Sequence, residues 1–276
     1  MSLFITSLNS GSNGNCYYIG NAEEAILVDA GISCRETERR MKRLGLKMDT
    51  VKAIFISHEH TDHISGVPVL AKKYRLPVYI TGQTLHHSRM QLEGIVFKPQ
   101  EPITIGKLQV TAFVKYHDAS DPHSFLVTGN GVTIGVFTDI GRCCDQLVHH
   151  FRQCHAAFLE ANYDTDMLEK GRYPIFLKNR IRGGHGHLSN QEALDLFRQH
   201  KPEGMQVLLL SHLSRDNNDP ALALEIFSRH AGNVKVAVAS RYEESKVYEI
   251  FPGQLVAPPR PAPPKKKPVV VQAALF

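Results

Sequence analysis

The stretch that decides the fold is Val51-Lys52-Ala53-Ile54-Phe55-Ile56-Ser57-His58-Glu59-His60-Thr61-Asp62-His63. Its first half is apolar and β-branched, which is the pattern of a buried strand. Its second half packs His58, His60, Asp62 and His63 into six residues. Residues 64–74 then take up a helical pattern, in which Pro68 is admissible only near the first turns. The polar cluster is therefore a loop at the C-terminal end of a strand, where α/β proteins assemble their chemistry. Imidazoles and a carboxylate at alternating positions can converge on a cation, and such donors suit zinc, manganese or iron. The helical motif His-Glu-x-x-His is excluded, because Asp62 stands where its second histidine would be.

Outward from this loop, the chain of 276 residues is long enough for one large core, and its 42% apolar and 21% charged content is that of a globular protein. The net charge of +5 permits a polyanionic partner without requiring one. Five cysteines without a Cys-x-x-Cys spacing, no basic-then-apolar leader and no bilayer-length apolar run predict a reduced, cytoplasmic protein that does not engage a membrane. Short apolar segments end repeatedly in polar residues: 25–28 before Asp29, 132–137 before Thr138-Asp139, 156–159 before Glu160, and 207–210 before Ser211-His212. Residues 10–15 (SGSNGN) carry turn chemistry between two short strands. Ser189-x-x-Glu192 is a capping box that opens a helix and leaves its N-terminus beside His187, a natural place for phosphate.

His58-x-His60-x-Asp62-His63 after a strand resembles the signature of the metallo-β-lactamase superfamily. The resemblance implies an α/β fold (α+β by some schemes), a four-layer αββα sandwich holding two divalent metal ions, zinc, manganese or iron. It extends over roughly residues 1–250 and supplies a ligand set in order: His58, His60, Asp62, His63, His117, Asp139 and His212. His117 fits the fifth place at the end of one strand, with His123, before the next strand, as its rival. Asp139 would bridge both metals. Asp29 would brace the ligand loop by hydrogen bonds. By the same resemblance the loop 10–15 would lie at the rim of the site.

The runs Glu160-Ala161-Asn162, Gly186-His187-Leu188-Ser189-Asn190 and Ser211-His212-Leu213-Ser214-Arg215-Asp216-Asn217-Asn218 resemble the YycJ-type (WalJ-type) branch of that superfamily. That branch implies a 5′-to-3′ DNA exonuclease, with DNA repair as its setting. Asp62, Asp139, Glu160 and His187 are the candidate catalytic groups. Lys178, Arg180 and Arg182, with Ser189 and Asn190 at the helix start, are the candidate contacts to the DNA strand. Tyr163 stands where the branch more often has histidine.

Residues 1–251 form the expected catalytic domain. Residues 252–271 are a Pro- and Lys-rich stretch that cannot pack a core and reads as a flexible, disordered linker. Residues 272–276 end in Gln272-x-x-Leu275-Phe276, which resembles the bacterial sliding-clamp-binding pentapeptide: Leu275 and Phe276 would fill an apolar pocket while Gln272 bonds at its edge. The rivals to a DNA exonuclease are an RNA-processing nuclease of the same fold, a small-molecule thioester or lactone hydrolase, and a non-catalytic clamp-bound DNA adaptor.

Overall fold

The computed structural model describes residues 2–253. The expected clamp peptide and all of the linker beyond Gly253 lie outside the described residues. The elements in chain order are β1 (Leu3–Asn9), β2 (Cys16–Gly20), β3 (Ala25–Val28), α1 (Cys34–Arg43), β4 (Val51–Phe55), α2 (Thr61–Ile64), α3 (Val67–Tyr74), β5 (Val78–Ile80), α4 (Gly82–Ser88) and β6 (Gly94–Val96). There follow β7 (Ile103–Ile105), β8 (Leu108–Val114), β9 (His123–Gly129), β10 (Val132–Phe137), α5 (Asp145–Phe151), β11 (Ala156–Glu160), α6 (Thr165–Lys170), α7 (Ile175–Arg182), α8 (Asn190–His200), β12 (Val207–Ser211), α9 (Pro220–Ser228), β13 (Lys235–Val238) and β14 (Tyr248–Ile250).

Two seven-stranded sheets result, ordered β14-β1-β2-β3-β4-β5-β6 and β13-β12-β11-β10-β9-β8-β7. In each, the strands from β3 to β6 and from β10 to β13 run parallel, and the rest pair antiparallel. The period of two along a strand explains the layers. Ile26, Val28 and Phe55 of the first sheet face inward onto Phe125, Ile134 and Phe158 of the second. Their alternates Ala25, Leu27 and Ile54 face outward and are covered with Met41 of α1 and Leu70 of α3. On the other side Leu159 and Leu208 lie beneath Leu147 of α5, Phe197 of α8 and Phe227 of α9. Helices thus cover both outer faces of a stacked pair of sheets, the αββα sandwich that the motif implied. No helix among the described residues is long and apolar enough to cross a membrane.

The helix expected over 64–74 is interrupted. α2 ends at Ile64, and α3 begins at Val67 with Pro68 in its first turn, where the missing N–H costs nothing. Between them the Gly66 amide donates to the Ala30 carbonyl instead of continuing a helix (2.8 Å). The same seam is tight at Gly31. A Cβ there would sit 1.7 Å from the Asp62 carbonyl oxygen, so only glycine lets the exit of β3 press against the histidine loop.

Candidate metal centre

Three strands end on polar residues in the left-handed backbone region: Asp29 after β3, Asp139 after β10 and His212 after β12, with φ of 59°, 55° and 55°. Asp, Asn and His are the side chains that tolerate this region best, and each such residue stores about 1–3 kcal/mol of strain. The turn away from the strand axis brings all three side chains to the seam between the sheets, where the loop His58–His63 leaves β4.

Asp29 is fully buried. It accepts hydrogen bonds from the Ser57 amide (2.8 Å), the Ser57 hydroxyl (2.8 Å) and His63 Nδ1 (2.7 Å). With the Ser57 hydroxyl proton given to Asp29, the contact between Ser57 Oγ and His58 Nδ1 (2.9 Å) must run from the imidazole. His58 Nε2 is then left as a lone-pair donor facing the seam, and His63 Nε2 would become one where a cation takes the place of its proton. Asn15, in the turn loop 10–15, completes the frame. Its amide N–H donates to the Asp62 carbonyl (2.7 Å), and its side chain reaches Asp62 Oδ2 (3.2 Å) and His63 Nε2 (3.0 Å).

The second sheet supplies the rest. Glu160, at the end of β11, is saturated: Oε2 accepts from the amides of Ile140 (2.6 Å) and Leu188 (3.3 Å), and Oε1 from His187 Nδ1 (2.8 Å) and His212 Nδ1 (3.0 Å). It orients two imidazoles and has no oxygen left for a cation. Buried Lys115 donates from Nζ to the Thr138 carbonyl (2.7 Å), fixing the backbone just before Asp139. Asn162 holds the His212 carbonyl (2.6 Å).

Potential ligand atoms fall into four overlapping groups, within each of which they lie no more than 4.8 Å apart: His58, His60 and His117; Asp62, His63 and His212; His58, His63 and Asp139; and Asp139, Glu160, His187 and His212. Asp139 stands between the first two, 3.3 Å from His63 Nε2, 3.8 Å from His117 Nε2 and 3.2 Å from His212 Nδ1. His117 Nε2, His212 Nε2 and Asp139 Oδ2 are buried with no hydrogen-bond partner, since even the close approach of His63 to Asp139 is not aligned for one. Buried polar atoms left bare cost free energy, and here they converge. Nitrogen and carboxylate donors so arranged fit divalent cations.

The electrostatics follow from that convergence. Burial, with the His63 and Lys115 charges, keeps His58 neutral, well below the usual imidazole range. Burial likewise holds His117 at about 3. Burial opposes the charged form of His212 too, but Asp139, Asp62 and Glu160 overcome it and raise its pKa to about 10. For His63 the same opposition is reversed by Asp139, Asp29 and Asp62, and its pKa lies well above 6.5. Burial pushes Asp62 and Glu160 upward, yet the neighbouring imidazoles bring both down to about 2.

These signs fix a pH profile for the metal-free protein. The stability from His63 and His212 is complete below about pH 6.5 and is lost as pH rises through their raised folded values, that of His212 being about 10. That from neutral His58 and His117 is present above about pH 6.5 and is lost as pH falls through their lowered folded values, that of His117 being about 3, where the carboxylates follow. Chelator-treated protein is therefore expected to melt highest near pH 6.5 and to lose Tm on both sides. A melting temperature that climbs steadily from pH 6.5 to 9 would contradict this assignment.

Of the rival histidines, His117 enters the cluster and His123 does not. His123 opens β9, its Nδ1 turned to the Asp121 carbonyl (2.9 Å) and its ring against Phe97. The expected strand contacts are corrected more heavily. Lys178 is buried, with Nζ on the Glu169 carbonyl (2.6 Å). Arg182 is taken by Glu169 and by Asn179 Oδ1 (2.8 Å). Ser189 is spent on the capping box with Glu192, and Asn190 is buried in a reciprocal amide pair with Asn218 (2.9 Å). Helical geometry is the reason, because positions one and two residues apart on α7 face different ways. Only Arg180 of the five lines the pocket over the cluster, where it pairs with Asp118. Asn15, Ser57 and Lys115 carry no sequence signal of their own, although the loop holding Asn15 does mark the rim; Asn162 closes the run 160–162, which by itself assigns it no role.

Residues 24–213 match the family model described as a beta-lactamase superfamily domain. The chain is 35% identical over 229 residues to an exodeoxyribonuclease YycJ of Bacillus anthracis, covering 81% of this chain and 87% of that protein. It is 30% identical over 253 residues to an exodeoxyribonuclease WalJ of Streptococcus pneumoniae, covering 89% and 93%. The crystal structure of the metallo-β-lactamase fold protein YhfI from Bacillus subtilis superposes with a TM-score of 0.71 at 17% identity, covering 90% of this chain and all of that one. With the ligand-bearing strand ends in place and relatives matched along most of both chains, this chain belongs to the metallo-β-lactamase superfamily, in the branch of YycJ and WalJ, and is a metal-dependent hydrolase.

Proposed function

We propose that this hydrolase is a two-metal phosphodiesterase that removes nucleotides from the 5′ end of DNA. The observation that carries the reading is the overlap of the donor groups at the seam, with Asp139 between the group of His58, His60 and His117 and the group of Asp62, His63 and His212, under an open pocket edged by Arg180. The names of the YycJ and WalJ relatives support DNA as the substrate. In this reading His58, His60, His117 and Asp139 would hold one cation, and Asp62, His63, Asp139 and His212 the other. Two such cations would lower the pKa of a water molecule and offset charge on the phosphate oxygens. Asp29 orients His63 without joining the ligands.

The chain's own groups do the remainder. Arg180 exchanges Asp118 for a phosphate oxygen and holds the strand at the pocket edge. His187 is fixed through Nδ1 by Glu160, so that Nε2 faces the pocket and can give a proton to the leaving oxygen. Glu160 acts by positioning that imidazole. His187→Asn is expected to lower kcat by about 10²–10⁴-fold with little change in KM and to flatten the pH–rate profile. An unchanged rate in the variant would remove His187 from the mechanism.

In the same proposal residues 1–251 are the catalytic domain, 252–271 a tether, and Gln272, Leu275 and Phe276 a docking peptide for the sliding clamp during DNA repair. The decisive assay offers end-labelled DNA and RNA, single and double stranded, with manganese, zinc or chelator. Mononucleotides released from the 5′ end of DNA are expected. Cleavage of RNA alone, or of neither, would replace this reading with one of its rivals. A chain cut after residue 251 should keep exonuclease activity and lose clamp binding in a pull-down.

A further inference from the structure

Beside the metal cluster, three loops bring together three side chains that the chemistry above does not use. Tyr116 follows β8, Arg142 follows β10, and His185 follows α7. Each is close in sequence to a cluster residue: Tyr116 to His117, Arg142 to Asp139, and His185 to His187. The Arg142 guanidinium lies over the Tyr116 ring, 3.7 Å from its centroid. The His185 ring meets Tyr116 edge-on, with centroids 5.8 Å apart and planes at 71°. All three side chains are exposed, Tyr116 at 37%.

The loops beneath them are locked. The Gly141 amide donates to the Tyr116 carbonyl (2.6 Å), and His117 Nδ1 bonds the Gly186 carbonyl (3.0 Å). A Cβ on Gly141 would lie 2.5 Å from the Gly184 carbonyl oxygen, so the second loop rests directly on the third. The patch is rigid, yet its polar edges are open. Arg142 has no ion pair and no side-chain hydrogen bond among the described residues, unlike Arg180 and Arg182, which both face carboxylates.

An exposed guanidinium backed by an aromatic ring offers a flat, weakly hydrated cationic surface. A purine or pyrimidine can stack on that surface, and the N–H edges can meet an adjoining phosphate. The geometry points to a stacking platform, Arg142 on Tyr116 with His185 at its edge, that holds the base of the nucleotide next to the one being cleaved. This rests on the nuclease reading above and extends it: substrate is gripped outside the pocket by a face common to every base, so binding is strong without sequence preference.

The test uses the full-length, manganese-loaded protein with Tyr116→Ala, Arg142→Ala and Tyr116→Phe. The substrates are a single-stranded DNA oligonucleotide and thymidine 5′-p-nitrophenyl phosphate, a diester with no neighbouring nucleotide. KM for the oligonucleotide should rise about ten-fold in the two alanine variants and stay near wild type in Tyr116→Phe. All four proteins should cleave the small diester alike. Binding of an oligonucleotide carrying 2-aminopurine at the second position should quench its fluorescence in wild type and not in Tyr116→Ala.

Oligonucleotide kinetics unchanged by both alanine variants would overturn the platform while leaving the nuclease reading intact. Equal losses on oligonucleotide and small diester would overturn it as well, placing the effect in the metal-site loops. A wild-type protein that neither binds nor cuts DNA would instead remove the nuclease reading, and the platform with it.

Discussion

Asp139→Asn is expected to lower the rate of DNA hydrolysis by more than about 10³-fold while leaving the fold in place. Asp139 is the carboxylate between both donor groups, within 3.3 Å of His63 and 3.2 Å of His212, and neither of the fully buried acids beside it is free to take its position. Glu160 is fully engaged and Asp29 is held on Ser57 and His63. Asparagine keeps the size of the side chain and tolerates the left-handed backbone at this position, φ 55°. Asp139→Ala should lose activity equally and also lose stability, by about 1–2 kcal/mol for the backbone alone. Rates at saturating metal and melting curves in chelator check both statements. Near-normal turnover in Asp139→Asn would sink the two-cation arrangement.

The second large effect is of a different kind. Asp29→Ala removes the acceptor for the Ser57 amide, the Ser57 hydroxyl and His63 Nδ1, all in a fully buried setting. Stranding such donors should cost about 3–5 kcal/mol. Metal affinity should fall about 10–100-fold, because His63 loses the bond that aims it. Since no ligand is lost, excess metal should restore much of the rate, which it cannot do for Asp139→Asn. A metal titration of activity separates the two roles. An Asp29→Ala enzyme that stays dead at saturating metal, with its fold intact, would show that Asp29 does more than orient.

Much of this architecture is legible in the residues, for an identifiable reason. His58 to His63 are compressed into one loop, and Asp139, Glu160 and His212 each lie at the end of an apolar run, so these strand ends mark themselves where polar residues follow Val, Ile, Leu or Phe. The capping box at Ser189 is an equally local signal. Lys178, Arg182 and Asn190 misled because a list of charges carries no direction until the helix phase around them is set. Asn15 and Lys115 serve the centre through backbone carbonyls of Asp62 and Thr138, and a backbone partner leaves no trace in composition or spacing. Choosing between His117 and His123 required the register of β8 against β9, which pairs Val114 with His123 and leaves His117 free of the ladder.

The two sheets contribute unequal but interlocking shares of the centre: His58, His60, Asp62 and His63 come from the first, and His117, Asp139 and His212 from the second. A cation coordinated from both sides would act as a bolt through the sandwich. Sliding one sheet against the other by a fraction of a bond length would spoil the coordination on one side. The apolar interface of Phe55, Phe125 and Phe158, remote in chemistry from any phosphate, would then set the precision of the coordination, and the bolt would in turn resist shear between the layers.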